Sequence, residues 1–357
     1  MISHFGSHLK LSIFGASHAP QIGMELEGIP AGLPIDQDVL QHFLDRRAPG
    51  RSPWSTSRKE ADIPEFQSGL DGNVTNGDPI RAVIQNQNVR KADYDALRHI
   101  PRPGHADFTA WKKYGPDYDM SGGGPFSGRM TAPLCIAGGL CKQWLEHRGI
   151  RIGAHIAQIG AVKDASFHPL HPELDKIGPD FPTLTQESAE SMQQMILSVK
   201  AEGDSIGGAV ECAVVGLPAG LGAPMFGGIE SRIAQIVYGI PAVKAVEFGQ
   251  GCDYASTRGS QSNDGYYLEG GRVQTLTNHC GGILGGITSG MPLIFRATFK
   301  PTPSIALPQK SVNLETLEEV TITVNGRHDP CIVPRAVSVV EAAAAIAIFD
   351  LILGESL

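Results

Sequence analysis

The sequence lacks the features that mark several common protein classes. Its net charge is −8 at pH 7, so it has no basic surplus for binding a nucleic-acid backbone. Its six cysteines are widely spaced and form no Cys-x-x-Cys pair, which predicts neither a zinc ribbon nor a disulfide framework. Only 18% of the residues are charged, whereas 41% are hydrophobic, a balance typical of a folded globular protein. We expect a reducing, cytoplasmic setting.

Targeting and membrane-spanning segments are not evident either. Residues 1–10 are polar and contain two histidines, unlike a secretory signal. The most apolar stretch, residues 336–353, carries Glu341 and Asp350, so it predicts a buried helix near the C-terminus rather than a membrane span. No Gly-x-Gly-x-x-Gly motif follows a first strand, which disfavours a parallel dinucleotide-binding fold.

Glycine and proline are abundant, at 43 and 25 residues, and they concentrate in residues 101–129 (PRPGHADFTAWKKYGPDYDMSGGGPFSGR). Because glycine costs backbone entropy and proline lacks an N–H donor, this stretch predicts an ordered loop rather than a helix or strand. It carries Arg102, His105, Asp107 and Arg129. Loops of this kind more often bind ligands than fill a core, so we interpret it as part of an anion-handling active site.

Regular elements are predicted where apolar residues follow a helical or alternating period. Helices are predicted over residues 35–47, with Asp36 as N-cap, and over 127–148 and 187–200. Strands are predicted over residues 80–86, 209–215 and 293–299, and two short strands flank a turn at residues 15–23.

One short sequence recurs. EGIPAGLP at residues 27–34 returns as VGLPAGLG at 215–222, an offset of 188 residues, each time after a strand-like and before a helical run. This echo predicts one domain over residues 1–357 with two similar halves, roughly 1–200 and 201–357, related by a pseudo-twofold axis. The fold class would be α+β with antiparallel pairing, because hairpins need only short turns.

Arginines lie in or beside the Gly/Pro-rich loops of this acidic chain. Solvated loop arginines are one interpretation; a ligand with several carboxylates or phosphates is the other, because a guanidinium binds such groups through two parallel hydrogen bonds. The arginines concerned are Arg46, Arg47, Arg51, Arg58, Arg102, Arg129, Arg258 and Arg327.

Two histidines in turns, His18 in GASHAP and His105 in RPGHAD, are candidate proton donors to an anionic leaving group. A metal site that combines His105 and Asp107 with His328 and Asp329 is an alternative, although no HExxH-type spacing supports it. Candidate phosphate cradles are KPTPS at residues 300–304 and GGILGGITSG at 281–290.

Taken together, these residues resemble the chorismate synthase family. The matching blocks run in the family's order over nearly the whole chain and include GASHAPQIG, LDRRAPGR, PRPGHAD, GGGPFSGRMTA, RGSQSND, NHCGGILGGITSG, KPTPSI and GRHDPC. The resemblance implies a β-α-β sandwich of two related halves in a homotetramer. It also implies an anti-1,4-elimination of phosphate from 5-enolpyruvylshikimate 3-phosphate, giving chorismate in the shikimate pathway, with reduced FMN as cofactor and no net redox change.

By the family pattern, His18 would protonate the departing phosphate, His105 would lie against the reduced flavin, and Asp329 would help to relay the proton removed from the substrate ring. The residues implied at the substrate are Arg47, Arg51, Arg102, Arg129 and Arg327. Those implied at the flavin are Ser127, Ala242, Gly285, Lys300, Pro301, Thr302, Pro303, Ser304 and Arg327.

The sequence also departs from the family pattern, at Ala16, Ala19, Pro53, Pro125, Phe126, Met130 and Pro241. Two alternatives to the lyase stay open: a flavin-binding homologue with altered or lost lyase activity, and a metal-dependent phosphatase. The source of the electrons for the flavin is open as well, since NADPH or an external flavin reductase would serve.

Overall fold

Two five-stranded antiparallel sheets enclose a layer of helices in this protein, whose computed structural model describes residues 2–50, 52–56, 60–86, 98–119, 121–324 and 328–355. The first sheet has the order β1-β2-β3-β7-β4 and the second the order β11-β16-β10-β8-β9. Their strands are β1 (Ile2–Phe5), β2 (Lys10–Gly15), β3 (Gln21–Glu27), β4 (Glu65–Ser68), β7 (Ile80–Gln85), β8 (Arg151–Ile159), β9 (Val162–Lys163), β10 (Gly208–Val215), β11 (Val243–Phe248) and β16 (Leu293–Phe299).

Four small hairpins extend from this frame. They pair β5 (Leu70–Asp71) with β6 (Val74–Thr75), β12 (Tyr266–Glu269) with β13 (Arg272–Thr275), β14 (Ile283–Leu284) with β15 (Ile287–Thr288), and β17 (Gln309–Val312) with β18 (Glu319–Ile322). The helices are α1 (Gln37–Arg47), α2 (Asp107–Tyr114), α3 (Thr131–Glu146), α4 (Gln186–Ala201), α5 (Ile229–Tyr238), α6 (Gly259–Ser262) and α7 (Val333–Gly354).

Helix α1 shows why the local sequence signals are reliable here. The Asp36 side chain accepts hydrogen bonds from the backbone N–H groups of Asp38 and Val39, each at 3.0 Å, which caps the first turn as predicted. Leu40 and Leu44 lie on one face at helical spacing and are fully buried against the core. The predicted helices over residues 127–148 and 187–200 and the three predicted strands are also confirmed, within a few residues at their ends.

The prediction that residues 101–129 contain no regular element was wrong. Helix α2 occupies Asp107–Tyr114, because the glycines and prolines lie on either side of DFTAWKKY and leave these eight residues without a helix breaker. Gly115, with φ of 91°, ends the helix as its C-cap. The Gly-Gly-Gly run that follows has positive φ at all three residues and is irregular, as expected.

The repeated PAGL sequence corresponds to a repeated structure. In the first copy, the Thr75 hydroxyl donates to the carbonyl of Pro30 and accepts from the N–H of Leu33. In the second copy, the Thr288 hydroxyl donates to the carbonyl of Pro218 and accepts from the N–H of Leu221. The two hydroxyls thus fix the same turn in both halves of the molecule.

Strand order repeats as well, since β2-β3-β7-β4 in one sheet corresponds to β8-β10-β16-β11 in the other. The predicted α+β sandwich of two related halves is therefore confirmed. The strand order favours a division between Glu146 and Arg151 over one near residue 200, and the division itself stays a prediction.

Helix α7 is the predicted apolar helix. It is long and apolar enough to cross a membrane by length and composition, yet 94% of its most apolar window is buried inside the protein, against α1, α3, α5 and the second sheet. Gly138 on α3 permits a close contact with α7, because a Cβ atom there would lie 2.3 Å from Cβ of Ala342. The run of alanines on α7 and the glycine on α3 thus let the two backbones approach each other.

A buried carboxylate ties this helix to its surroundings. Glu341, 1% exposed, accepts hydrogen bonds from both terminal nitrogens of Arg46 at 2.9 and 2.7 Å and from Nζ of Lys142 at 2.9 Å. Burial by itself would raise the pKa of Glu341, but the charges of Arg46 and Lys142 outweigh it and lower that pKa to about 2. The backbone N–H of Ala154 on β8 donates to the same carboxylate.

We expect Glu341→Gln to lower the free energy of unfolding at pH 7 by about 3 kcal/mol, because Arg46 and Lys142 would lose their buried counter-charge. The folded-state pKa lies below the ordinary value of 4.5, so the wild-type contribution is present above pH 4.5 and is lost as the pH falls towards 2. Urea unfolding measured between pH 3 and 7 tests this. Glu146→Gln, which removes a half-exposed carboxylate near the same lysine, is the matched control and should change stability by less than about 0.5 kcal/mol. An equal loss in both variants would contradict the prediction.

Candidate functional site

Two loops meet where His105 lies. The imidazole Nε2 of His105 is 2.6 Å from the hydroxyl oxygen of Ser304, and Nζ of Lys300 donates to the carbonyl of Gly104. Gly104 has φ of 74°, and a Cβ atom on it would lie 2.8 Å from Cβ of Pro303. A glycine is therefore required for the two loops to pack this closely. The structure thus brings His105 to the predicted phosphate cradle at residues 300–304.

Cations and burial set the protonation state of His105. Burial lowers the pKa of His105 first, and the positive charges of Arg102 and Lys300 lower it further, to about 4, against the opposing charge of Asp107. Asp107 is itself held by Arg102, whose Nε and Nη2 donate to its two oxygens at 2.7 and 2.8 Å. The imidazole is consequently neutral at physiological pH in the ligand-free protein.

The cradle carries donors suited to a phosphate. The hydroxyl oxygen of Thr302 is buried and has no hydrogen-bond partner among the described residues, a costly arrangement unless a ligand supplies one. Burial and the neighbouring charge of Lys244 lower the pKa of Lys300, a sign of local positive charge. The backbone N–H of Lys300 donates to the carbonyl of Ala242 at 3.0 Å, which brings this predicted flavin residue to the cradle. The residues present therefore fit an FMN phosphate.

His18 lies in the turn between β2 and β3, packed against the Gly-Gly-Gly run. Its Nδ1 is 2.9 Å from the hydroxyl of Ser17, which in turn donates to the carbonyl of Gly122 at 3.0 Å. A Cβ atom on Gly122 would lie 2.0 Å from Cε1 of the His18 ring, so only glycine fits there. The ring is thereby fixed from two sides.

The predicted substrate arginines Arg47 and Arg129 share one carboxylate. Nε of Arg47 donates to Oδ2 of Asp62 at 3.0 Å, and Nη1 of Arg129 pairs with Oδ1 of the same residue. Asp62 is 2% exposed and has a positive φ of 52°. Burial opposes its ionisation, but the two guanidinium groups outweigh this and lower the pKa of Asp62. All three nitrogens of Arg47 donate within the protein, so its contact with a substrate stays a prediction.

Asp329 lies beside the same arginines. It accepts a hydrogen bond from the backbone N–H of Thr56 at 2.8 Å and pairs with Arg335, whose Nε donates to the carbonyl of Arg47 at 2.8 Å. Arg335 therefore connects Asp329 to the end of α1. Next to it, burial lowers the pKa of His328.

The structure does not join every predicted residue. Ser127 caps the turn that carries Arg129, accepting a hydrogen bond from its N–H at 3.2 Å. Pro301, within the cradle, packs beside Gly207. Gly285 lies in the turn between β14 and β15, and the contacts of the described residues do not link it to the cradle. Arg51, Arg58 and Arg327 lie outside the described residues. A single cavity shared by His18, His105 and Asp329 stays a prediction.

Sequence reasoning missed four residues that shape this site: Asp62, Asn86, Thr56 and Arg335. Asp62 stands in an unremarkable EADIP segment, and its partners are 15 and 67 residues away along the chain.

The carboxylates of the alternative metal site are already engaged. Asp107 is paired with Arg102, and Asp329 with Arg335, so both carboxylates face guanidinium groups. Within the described ranges no group of three or more His, Cys, Asp or Glu side chains is arranged to hold a metal ion.

Comparison with known proteins gives one family. A profile described as chorismate synthase matches residues 9–353. A chorismate synthase of Lancefieldella parvula is 45% identical, covering 98% of this chain and 96% of the relative, and one of Methanocella arvoryzae is 44% identical over 97% and 93%. A solved structure titled "Crystal Structure of Chorismate Synthase" is similar with a TM-score of 0.77 and 29% identity, covering 98% of this chain and 93% of the other.

We expect Gly122→Ala to impair the site by displacing the His18 ring, because the added Cβ atom would overlap it. Turnover should fall about a hundredfold, the scale of a misplaced catalytic group. Gly72→Ala is the matched control, since Gly72 has the same φ of 62° with nothing within 4 Å of the added atom. Equal turnover in the two variants would contradict the role of this contact.

We expect the pKa of His105 to rise from about 4 towards its ordinary 6.5 or above in Arg102→Met, because a nearby cation is lost and Asp107 is left unpaired. NMR titration of the imidazole nitrogens measures this. In the wild type, His105 has a lower pKa in the folded protein than in the unfolded chain. As the pH falls from 6.5 to 4, the unfolded chain therefore binds a proton at this histidine before the folded protein does, and the free energy of unfolding decreases. Lys113→Met removes an exposed cation from α2 and should leave the titration unchanged.

Proposed function

The chain belongs to the chorismate synthase family, and from this premise we propose that it catalyses the anti-1,4-elimination of phosphate from 5-enolpyruvylshikimate 3-phosphate to give chorismate. Enzymes of this family are lyases, and this chain is a lyase that acts on a small molecule. In the proposed reaction the carbon–oxygen bond to phosphate breaks, a proton leaves the opposite face of the ring, and a conjugated diene forms.

One observation carries the proposal: the Thr302 hydroxyl is buried without a hydrogen-bond partner among the described residues, on the same loop as Lys300 and Ser304 and next to His105 and Arg102. The substrate has a phosphate and two carboxylates, so its binding requires several cations. Arg102 and Arg129 are proposed to meet these anions, while Arg47 acts through Asp62. The remaining predicted substrate residues, Arg51 and Arg327, are proposed by the family pattern alone.

Reduced FMN is the proposed cofactor, and when bound it would supply an electron-rich ring system without net redox change. Lys300, Thr302 and Ser304 would hold its phosphate, because they offer an ammonium group and two hydroxyls on one loop. His105 is fixed to that loop through Ser304 and would lie against the flavin. An anionic ligand here would raise the pKa of His105, since it would offset the cations that depress it.

His18 is proposed to donate a proton to the oxygen of the departing phosphate. Its Nδ1 lies 2.9 Å from the Ser17 hydroxyl, a contact that orients the ring, and Nε2 is the atom proposed to donate the proton. Asp329 is proposed to help relay the proton removed from the ring, with Arg335 and the Thr56 N–H fixing the position of its carboxylate.

The wider setting follows from the same family pattern. We propose a cytoplasmic homotetramer of the shikimate pathway, with flavin reduction by NADPH or by a separate reductase. Exposed apolar side chains on the β12–β13 hairpin support assembly into an oligomer. Leu268 and Val273 lie directly opposite each other on the two strands and are 75% and 62% exposed.

The deciding experiment measures phosphate release from 5-enolpyruvylshikimate 3-phosphate with dithionite-reduced FMN, with oxidised FMN and without flavin. Release that requires the reduced flavin is expected. His18→Ala and His105→Ala should each slow turnover by about 10²- to 10⁴-fold. His168→Ala, in an exposed histidine pair, is the control and should be as active as the wild type.

The same assay separates the alternatives. Flavin-independent release that is abolished by a chelator would favour a metal-dependent phosphatase over the lyase. Flavin binding without release would identify a homologue that has lost the reaction. Near-normal turnover of His18→Ala would refute the role proposed for this histidine.

A further inference from the structure

Asn86, the residue after strand β7, holds the turn that carries His18. Its Nδ2 donates to the carbonyl of Ala19 at 2.7 Å and to that of Ala16 at 3.4 Å, and its backbone N–H donates to the carbonyl of Pro20 at 2.9 Å. These three carbonyls lie on both sides of His18 in the chain. The amide of Asn86 therefore closes the turn around the histidine.

The same side chain fixes Arg129 from its other end. Oδ1 of Asn86 accepts a hydrogen bond from Nε of Arg129 at 3.0 Å. Nη1 of the same guanidinium donates to the carboxylate of Asp62, as described above. Nη2 is buried and has no hydrogen-bond partner among the described residues, and a carboxylate oxygen of Glu60 lies 3.9 Å from it. Asn86 and Asp62 thus hold two nitrogens of Arg129 and leave the third to a ligand.

We propose that Asn86 is a positioning residue that sets the distance between the His18 imidazole and the Arg129 guanidinium, so that both address the same departing phosphate. The inference rests on the proposed function, because it takes His18 as the proton donor and Arg129 as an anion-binding group.

An amide is the side chain that this position requires. It must donate to the carbonyls of the His18 turn and accept from Arg129 at the same time, and a carboxamide does both in a fixed plane. A carboxylate would keep the acceptor for Arg129 but would oppose the carbonyl oxygens of Ala16 and Ala19. A leucine of similar size would lose both interactions. The two substitutions therefore separate the interaction of Asn86 with the His18 turn from its interaction with Arg129.

The test compares Asn86→Asp and Asn86→Leu in steady-state assays with reduced FMN from pH 5 to 9. For Asn86→Asp we expect KM within about threefold of the wild type, kcat lowered about ten- to a hundredfold, and an alkaline limb of kcat shifted to higher pH. The limb should shift because an introduced carboxylate near His18 favours its protonated form. For Asn86→Leu we expect kcat to fall at least as far, KM to rise, and the limb to stay in place.

Gln143→Glu provides the matched control. Gln143 also bridges backbone groups, accepting from the N–H of Asp36 at 2.8 Å and donating to its carbonyl at 3.0 Å. It does so at the N-terminal end of α1, a helix about 15 Å long whose other end carries Arg47. This variant should lose stability without a change in the pH profile. Unfolding midpoints of all variants check that the enzyme assayed is folded.

The outcomes distinguish the inference from the function beneath it. If His18→Ala is impaired but both Asn86 variants keep wild-type kcat, or if Asn86→Asp lowers activity with an unmoved alkaline limb, the positioning role is wrong. If His18→Ala itself is as active as the wild type, the proposed function fails first.

Discussion

Two buried carboxylates on one apolar helix connect the layers of this protein. Glu341 of α7 receives Arg46 from α1, Lys142 from α3 and a backbone N–H from β8. About two and a half turns later, Asp350 accepts the backbone N–H groups of Ser7, His8 and Leu9, just before β2, at 2.8 to 2.9 Å. An isolated charge in such a core would be strongly unfavourable, so each carboxylate requires these partners. Helix α7 is consequently fastened to both sheets and to the other helices in one register.

The packing of α7 against the other helices also positions the arginines of the candidate site. Arg47 is the last residue of α1, Arg129 lies two residues before α3, and Arg335 lies in the first turn of α7. Because Asp62, Asp329 and the carbonyl of Arg47 join these guanidinium groups, the ends of three helices meet at one place. Cations held near each other in a dry environment need an anion, and the rigid helices hold them in place before the ligand arrives.

The internal repeat accounts for the frame but not for the site. Thr75 and Thr288 make the same pair of hydrogen bonds in the two halves, and the strand order of the two sheets matches. The residues that meet at His105, however, come from a loop of one half and from the strand end of the other. Loops vary while the sheets they connect keep their packing, so two similar halves contribute different residues around His105.

The amino-acid sequence by itself determined the helices and strands whose signals are local, such as the Asp36 cap and the apolar face of α1. Its ordered motifs also indicated the family and the histidines. Tertiary structure alone decided that Asp62 and Asn86 hold Arg129, because hydrogen-bond partners 67 and 43 residues apart leave no periodic trace in the chain. Helix α2, by contrast, follows from the local order of residues 107–114, which contain no helix breaker, and the composition of the Gly/Pro-rich stretch hides that order.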